Sequence, residues 1–255
     1  IRTVPGSGLI LAPANIDAVH QTLAKGCWCE VHFVGQPSDN SESHWHARCN
    51  ANALGLNDGQ SFEVWHQNQC QGIVNWTLTG EHNVHNGLMA IAAAHHAGIK
   101  IAQAIDSLSR FNSPKRRMEL LYRRHGICLY DDFAHHPTAI ATTLDGLRKK
   151  IGDQRIIAVL EPRSNTMKMG VHKTTLAGSW QQADEVFVYQ DVKQNWTLTP
   201  GYDASHLMIS ADLQQIVDTI VDISQPNDHI VVMSNGGFAG IHQTLIARLD
   251  EKFAQ

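Results

Sequence analysis

The chain has 255 residues, 43% hydrophobic and 17% charged, with a formal net charge of −4. This is enough for one large or two ordinary domains with a packed core, and it excludes a disordered segment. The small negative charge excludes a strong pull toward nucleic acid or an anionic membrane, and no apolar run reaches membrane-span length. Five cysteines (Cys27, Cys29, Cys49, Cys70 and Cys128) form an odd set without a regular framework, as expected of a reducing cytoplasm. Cys27-Trp28-Cys29 lacks the two-residue gap of a zinc or redox motif and reads as a strand edge. Scattered histidines such as His20, His66 and His206 read as surface residues. The chain opens Ile1-Arg2-Thr3-Val4-Pro5, with no initiator Met, no signal peptide and no start signal for an element; it reads as the interior of a longer protein.

In chain order, Asn15 is placed to cap a helix carrying Ile16, Val19 and Leu23, stopped by Gly26. Val31–Val34 and Phe62–Trp65 read as strands, and Pro37 to Trp45 as an exposed polar loop. Ile73–Leu78 reads as a strand ending at Thr79-Gly80. An Ala-rich helix follows from Asn83 to Gly98, then a second with Ile101, Ala104, Ile105 and Leu108 on one face. Residues 109–118 combine Pro, small polar residues and a basic cluster; they make the linker, with the domain boundary between 112 and 113. After it the pattern alternates: strand 127–131, a helix with Ile140, Leu144, Leu147 and Ile151, and strand 155–160, apolar throughout as in a strand buried on both faces. A helix around 172–182 precedes strand Glu185–Tyr189. Helix 211–222, strand His229–Ser234 and a final helix with Ile241, Leu245 and Leu249 complete the set. Alternation of this kind implies an α/β fold with a mostly parallel, doubly wound sheet.

Three strand-end segments carry the chemistry, since open α/β sheets bind ligands there. The richest is Tyr130-Asp131-Asp132-Phe133-Ala134-His135-His136-Pro137. A carboxylate here suits a ribose hydroxyl pair or a metal-bound water, and a histidine suits a substrate carboxylate. Adjacent histidines on a helix point about 100° apart, so one of the pair is expected to face the cleft; Pro137 suits a first helical turn. Glu161-Pro162-Arg163-Ser164-Asn165-Thr166-Met167-Lys168 follows the most buried strand, and its mixture suits a zwitterionic or multiply carboxylated substrate. Asn235-Gly236-Gly237 would let backbone amides approach an anion. Upstream, Gly80-Glu81-His82-Asn83-Val84-His85-Asn86 starts a helix. Its two carboxamides match the adenine edge in donors and acceptors, or Asn83 simply caps the helix. An arginine of Lys115-Arg116-Arg117 fits a phosphate by its forked guanidinium, or the trio is a solvated linker.

Gly-x-His-Asn-x-x-Asn, Arg-Arg-Met-Glu, Asp-Asp-Phe-Ala-His-His-Pro-Thr and Glu-Pro-Arg-Ser-Asn-Thr-Met-Lys occur in that order, and together they resemble the C-terminal part of the Mur ligases. The likeness covers essentially the whole chain. It implies the C-terminal half of an ATPase domain over residues 1–112, lacking the phosphate loop, and a Rossmann-like doubly wound domain over residues 113–255. The third and fourth of these runs are closest to the branch that joins recycled L-alanyl-γ-D-glutamyl-meso-diaminopimelate to UDP-N-acetylmuramate at the cost of ATP. The resemblance implies that Asn83 and Asn86 contact adenine, that Arg117 reaches the ATP phosphates and that Asp132 reaches the ribose. It gives His135 a catalytic place beside Arg117, and gives His135, His136, Arg163, Ser164, Asn165 and Lys168 to the peptide pocket. No residue of this chain is expected to bind metal; Mg2+ ligands, the catalytic lysine and the phosphate loop are expected upstream. There is no Gly-x-x-Gly-Lys-Thr in the 255 residues, so the chain alone is expected to be inactive. The competing readings are an amino-acid-adding Mur ligase such as the L-alanine ligase, and a Rossmann-like binding module without chemistry. The absence of Gly-x-Gly-x-x-Gly after a strand argues against dinucleotide binding.

Overall fold

The computed structural model describes residues 1–35, 43–172, 174–191 and 205–254. Contacts divide the chain into two compact units, Ile1–Asn112 and Ser113–Gln255.

The first unit is a five-stranded sheet in the order β1-β2-β3-β4-β5. These are β1 (Leu9–Pro13), β2 (Glu30–Gly35), β3 (Trp45–Cys49), β4 (Ser61–His66) and β5 (Gln69–Asn75). The first three pair in parallel, and β3-β4-β5 form an antiparallel meander. Helix α1 (Asp17–Leu23) buries no residue and starts from Ile16 without a side-chain cap, so Asn15 does not cap it. Helices α2 (Glu81–His96) and α3 (Ile101–Ser109) supply the apolar face against the sheet, through Val84, Leu88, Ile91, Ala104 and Ile105. Several expectations need correcting. The segment Cys27–Cys29 is in no strand; its two sulfurs lie 3.7 Å apart. The β5 strand ends at Asn75, three residues before Leu78. His66 is not a surface residue, because its ring stacks on the buried Trp45 at 3.9 Å between centroids. Pro37 to Trp45 lies mostly outside the described residues, and Trp45 opens β3.

The second unit is a six-stranded sheet in the order β10-β9-β8-β11-β7-β6. Strand β6 (Glu119–Arg124) is antiparallel to β7 (Ile127–Asp132) at one edge. Strands β7, β11 (His229–Met233), β8 (Ile156–Leu160), β9 (Glu185–Tyr189) and β10 (Leu207–Ser210) are parallel. One face carries α4 (Pro137–Ile151) and the segment with α5 (Asn165–Lys168), through Ile140, Leu144, Leu147 and Met167. The other carries α6 (Leu213–Ile223) and α7 (Ile241–Phe253), through Ile216, Ile220, Ile241 and Leu245. Both faces are covered, which is why β7, β8 and β11 are buried from end to end. The helix expected around 172–182 is instead a single 3-10 turn, Ala177–Trp180, anchored by buried Trp180.

Chain order makes β11 the switch strand. The segment after β7 leads to α4 on one face, the segment after β11 leads to α7 on the other, and the two strands are neighbours. Loops that part to opposite faces leave a crevice at the carboxyl ends of such strands.

Candidate functional site

The ends of β7, β8 and β11 bring the second unit's chemical groups together. Glu161 N donates to Met233 O at 3.1 Å and Ser234 N to Asp132 O at 3.1 Å, so the three strand ends are laced by backbone bonds. The Ser234 hydroxyl donates to Glu161 Oε2 and accepts from Gly236 N at 2.9 Å.

Asp132 is 4% exposed. Its Oδ2 accepts from Met118 N at 2.8 Å, and its Oδ1 from Ala134 N at 2.8 Å and from the Thr143 hydroxyl at 3.4 Å. Burial raises its pKa, with the two amide bonds working against that rise. The sequence suggests a ribose-facing carboxylate here. Both oxygens accept from the chain, and Asp132 ties the linker and the start of α4 to β7. Its neighbour Asp131 lies with Oδ2 3.2 Å from Arg116 Nε and Oδ1 3.2 Å from His242 Nε2, the last contact off line for a hydrogen bond. Burial lowers the pKa of His242, against the pull of Asp131.

The two histidines stand outside the helix, so the 100° argument does not apply. His136 is the N-cap of α4, in an extended conformation, and its Nδ1 accepts from Thr138 N at 3.4 Å. His135 Nδ1 lies 2.9 Å from Phe133 O. A carbonyl can only accept, so Nδ1 of His135 carries the hydrogen and Nε2 of the neutral ring is left as acceptor. His136 has the opposite tautomer, with Nε2–H as donor. Its ring meets His172 edge-on at 4.3 Å, and desolvation, then His172 and His135, lower its pKa. The pair thus presents one acceptor and one donor, a set matched to an amine and a carboxylate.

Arg163, exposed after β8, donates its backbone N–H to Glu161 O at 2.8 Å. Ser164 caps α5 by accepting from Met167 N at 3.4 Å, and its hydroxyl lies 3.2 Å from that of Thr166. Asn165 opens α5 and is exposed. The side chain of Lys168 lies outside the described residues. Arg117 is exposed, with its guanidinium 6.0 Å from the Phe133 ring.

Asn83 and Asn86 belong to the first unit. Gly80, at φ +92°, is the N-cap of α2, so Asn83 is not; its Nδ2 instead donates to Thr79 O at 2.8 Å. Asn86 is exposed one turn further along.

The second unit therefore unites Arg117, Asp132, His135, His136, Arg163 and Ser164 around three adjacent strand ends. Sequence reasoning missed His172, Ser234 and His242 and passed over Arg116 in favour of Arg117. His242 is hidden in the apolar stripe of α7, between Ile241 and Leu245.

Residues 116–236 match the Mur ligase, glutamate ligase domain family. Over 99% of the chain, the UDP-N-acetylmuramate–L-alanyl-γ-D-glutamyl-meso-2,6-diaminoheptandioate ligase of Escherichia coli is 47% identical, and the chain covers 54% of it. The enzyme of the same name from Haemophilus influenzae is 45% identical over 99% of the chain and is covered to 54%. A solved murein peptide ligase from Psychrobacter arcticus matches with a TM-score of 0.70 and 40% identity, over 98% of this chain and 52% of that one. The chain spans about half the length of the curated relatives it matches, as their C-terminal part. With this identity sustained along both units, the chain belongs to the Mur ligase family.

Proposed function

We propose that the chain is the C-terminal part of a cytoplasmic, ATP-dependent ligase that joins L-alanyl-γ-D-glutamyl-meso-diaminopimelate to UDP-N-acetylmuramate in peptidoglycan recycling. On this reading, residues 1–112 are the C-terminal part of the central ATP-binding domain and residues 113–255 the peptide-binding domain. The observation that carries it is the 45–47% identity to ligases of that name over 99% of the chain. It is supported by the strand-end chemistry: a guanidinium (Arg163), two capping-loop polar residues (Ser164, Asn165) and a donor–acceptor histidine pair suit a peptide bearing several carboxylates and amines.

The sugar's lactyl carboxylate is first phosphorylated by ATP. The peptide's α-amine then attacks the acyl phosphate, and the tetrahedral intermediate collapses to amide and phosphate. Asn83 and Asn86 hold the adenine and Arg117 meets the phosphates. Arg163, Ser164, Asn165, Lys168 and His136 bind the peptide. His135, whose Nδ1 bonds the Phe133 carbonyl and whose Nε2 can then accept, takes the proton that the attacking amine loses.

The test is to supply the intact ligase with ATP, Mg2+, UDP-N-acetylmuramate and either the tripeptide or L-alanine. Product with the tripeptide at a kcat/KM at least a hundred-fold above that with L-alanine is expected; preference for L-alanine would assign the other branch. The 255 residues alone, which contain no Gly-x-x-Gly-Lys-Thr, are expected to give no product above background.

A further inference from the structure

Arg116 has no place in the reaction as described, yet it joins the linker to two strand ends. Its backbone is left-handed, at φ +62°, and Met118 two residues on is at +49°. Such strain persists only where surrounding contacts over-determine it. The Arg116 amide donates to Glu119 Oε2 at 2.9 Å, and its carbonyl accepts from Phe133 N at 2.9 Å. Its Nε faces Asp131, and its Nη2 donates both to Ser234 O and, at 2.8 Å, to Gly236 O. Asp131 is backed by buried His242.

Gly236 is also the floor beneath Arg163. A methyl group on its Cα would lie 2.8 Å from Arg163 Cζ and 2.9 Å from Cδ, closer than side-chain carbons approach. The Arg163 guanidinium therefore lies against the glycine whose carbonyl Arg116 holds.

We propose that Arg116 is a positioning residue for peptide binding: by gripping the carbonyls of Ser234 and Gly236 it fixes the surface on which Arg163 lies, and so aims the Arg163 guanidinium at an anionic group of the incoming peptide. The proposal rests on the assignment of Arg163 to the peptide pocket. A role confined to holding the fold would lower stability and leave substrate affinities in place. A positioning role makes Arg116 and Arg163 dependent on each other.

The experiment is a double-mutant cycle in the intact ligase. Arg163→Ala is expected to raise the KM for tripeptide at least ten-fold and to leave the KM for ATP within two-fold; an unchanged tripeptide KM would overturn the pocket assignment itself, a separate signature. Arg116→Met is expected to raise the tripeptide KM by a similar factor, and Arg116→Lys, which keeps the charge but not the fork, by less. In the Arg163→Ala background, Arg116→Met should add less than a further two-fold. Multiplication of the two effects, or a loss of thermal stability with an unchanged KM, overturns the proposal. If Arg116→Met fails to fold, Gly236→Ala replaces it, since it leaves Arg116 intact and lifts Arg163 directly. A raised tripeptide KM that vanishes in the Arg163→Ala background supports the proposal, and an unchanged KM overturns it.

Discussion

Asp132 has the chemistry expected of a ribose contact and is at the same time bound into the fold. Both oxygens of its carboxylate take backbone amides from segments that would otherwise bury unpaired donors, Met118 N and Ala134 N. Asp132→Asn turns one of those acceptors into a donor facing a donor. It is expected to cost about 2 kcal/mol, the usual penalty for an unsatisfied buried amide, and to lower the melting temperature of the chain by several degrees. Circular dichroism through the thermal transition checks this. A ribose ligand would behave in the opposite way, with the melting temperature kept and the KM for ATP raised. Arg163 is the converse case, an exposed side chain that rests against Gly236 while its backbone amide bonds Glu161 O. Arg163→Ala is expected to leave the melting temperature within about 1 °C, since surface changes away from such contacts are typically small.

At the opposite ends of the same strands, buried polar groups are arranged for stability. Arg155 precedes β8 and grips Asp228, which precedes β11, through two bonds of 2.9 and 2.7 Å; Asp228 is 1% exposed. Arg155→Met would strand that carboxylate, at about 3–5 kcal/mol, measurable as a fall in the denaturant midpoint. Next to it, His229 is held neutral: its Nδ1 accepts from the Tyr130 hydroxyl at 3.1 Å, and its Nε2 donates to Gln154 Oε1 at 2.7 Å. Burial pushes its pKa from the ordinary 6.5 down to about 4. The unfolded chain therefore takes up the proton first. Stability is full above pH 6.5, falls as pH drops toward 4, and stops falling from this cause below that. His229→Gln is expected to flatten the stability curve between pH 6.5 and 4; a slope as steep as that of the wild type would assign the acid loss to other groups. These elements also mark what the sequence made legible. Continuous apolar runs revealed β8 and β11, and the caps and stripe revealed α4. Strand β3, where Trp45, Ala47 and Cys49 alternate with His46 and Arg48 in strand fashion, is masked in the sequence by the polar stretch that runs up to Trp45. The 3-10 turn at Ala177–Trp180 reads as a longer helix in the sequence because local propensity does not show the buried anchor, Trp180, that ends it. The three strand-end loops were legible because topology alone puts them together. The partners of Arg116 lie 118 and 120 residues away, at Ser234 and Gly236, and no local pattern encodes such a pairing.

Across the whole molecule, the apolar side chains fall into clusters that respect the boundary at residue 112. The cluster of the first unit draws only on residues between Leu11 and Leu108. The two clusters of the second unit draw only on residues between Met118 and Phe253. Hydrophobic burial is the dominant favourable contribution to folding, so a cut between Asn112 and Ser113 leaves the second unit with all of it. The clamp on Arg116, the Asp132 bonds and the Arg155–Asp228 pair also lie wholly after the cut. Residues 113–255 expressed alone are therefore expected to unfold in one cooperative transition, with a denaturant midpoint close to that of the same unit in the whole chain. The first unit is a sharper case, because its helix α1 buries nothing and its sheet is covered by α2 and α3 alone among the described residues. Residues 1–112 are expected to be the less stable piece and to exchange their amide hydrogens faster. Hydrogen exchange on the two pieces, compared peptide by peptide with the intact chain, checks both expectations. A second unit that loses its protected amides after the cut would show that its stability depends on something before Ser113, against the partition of the cores.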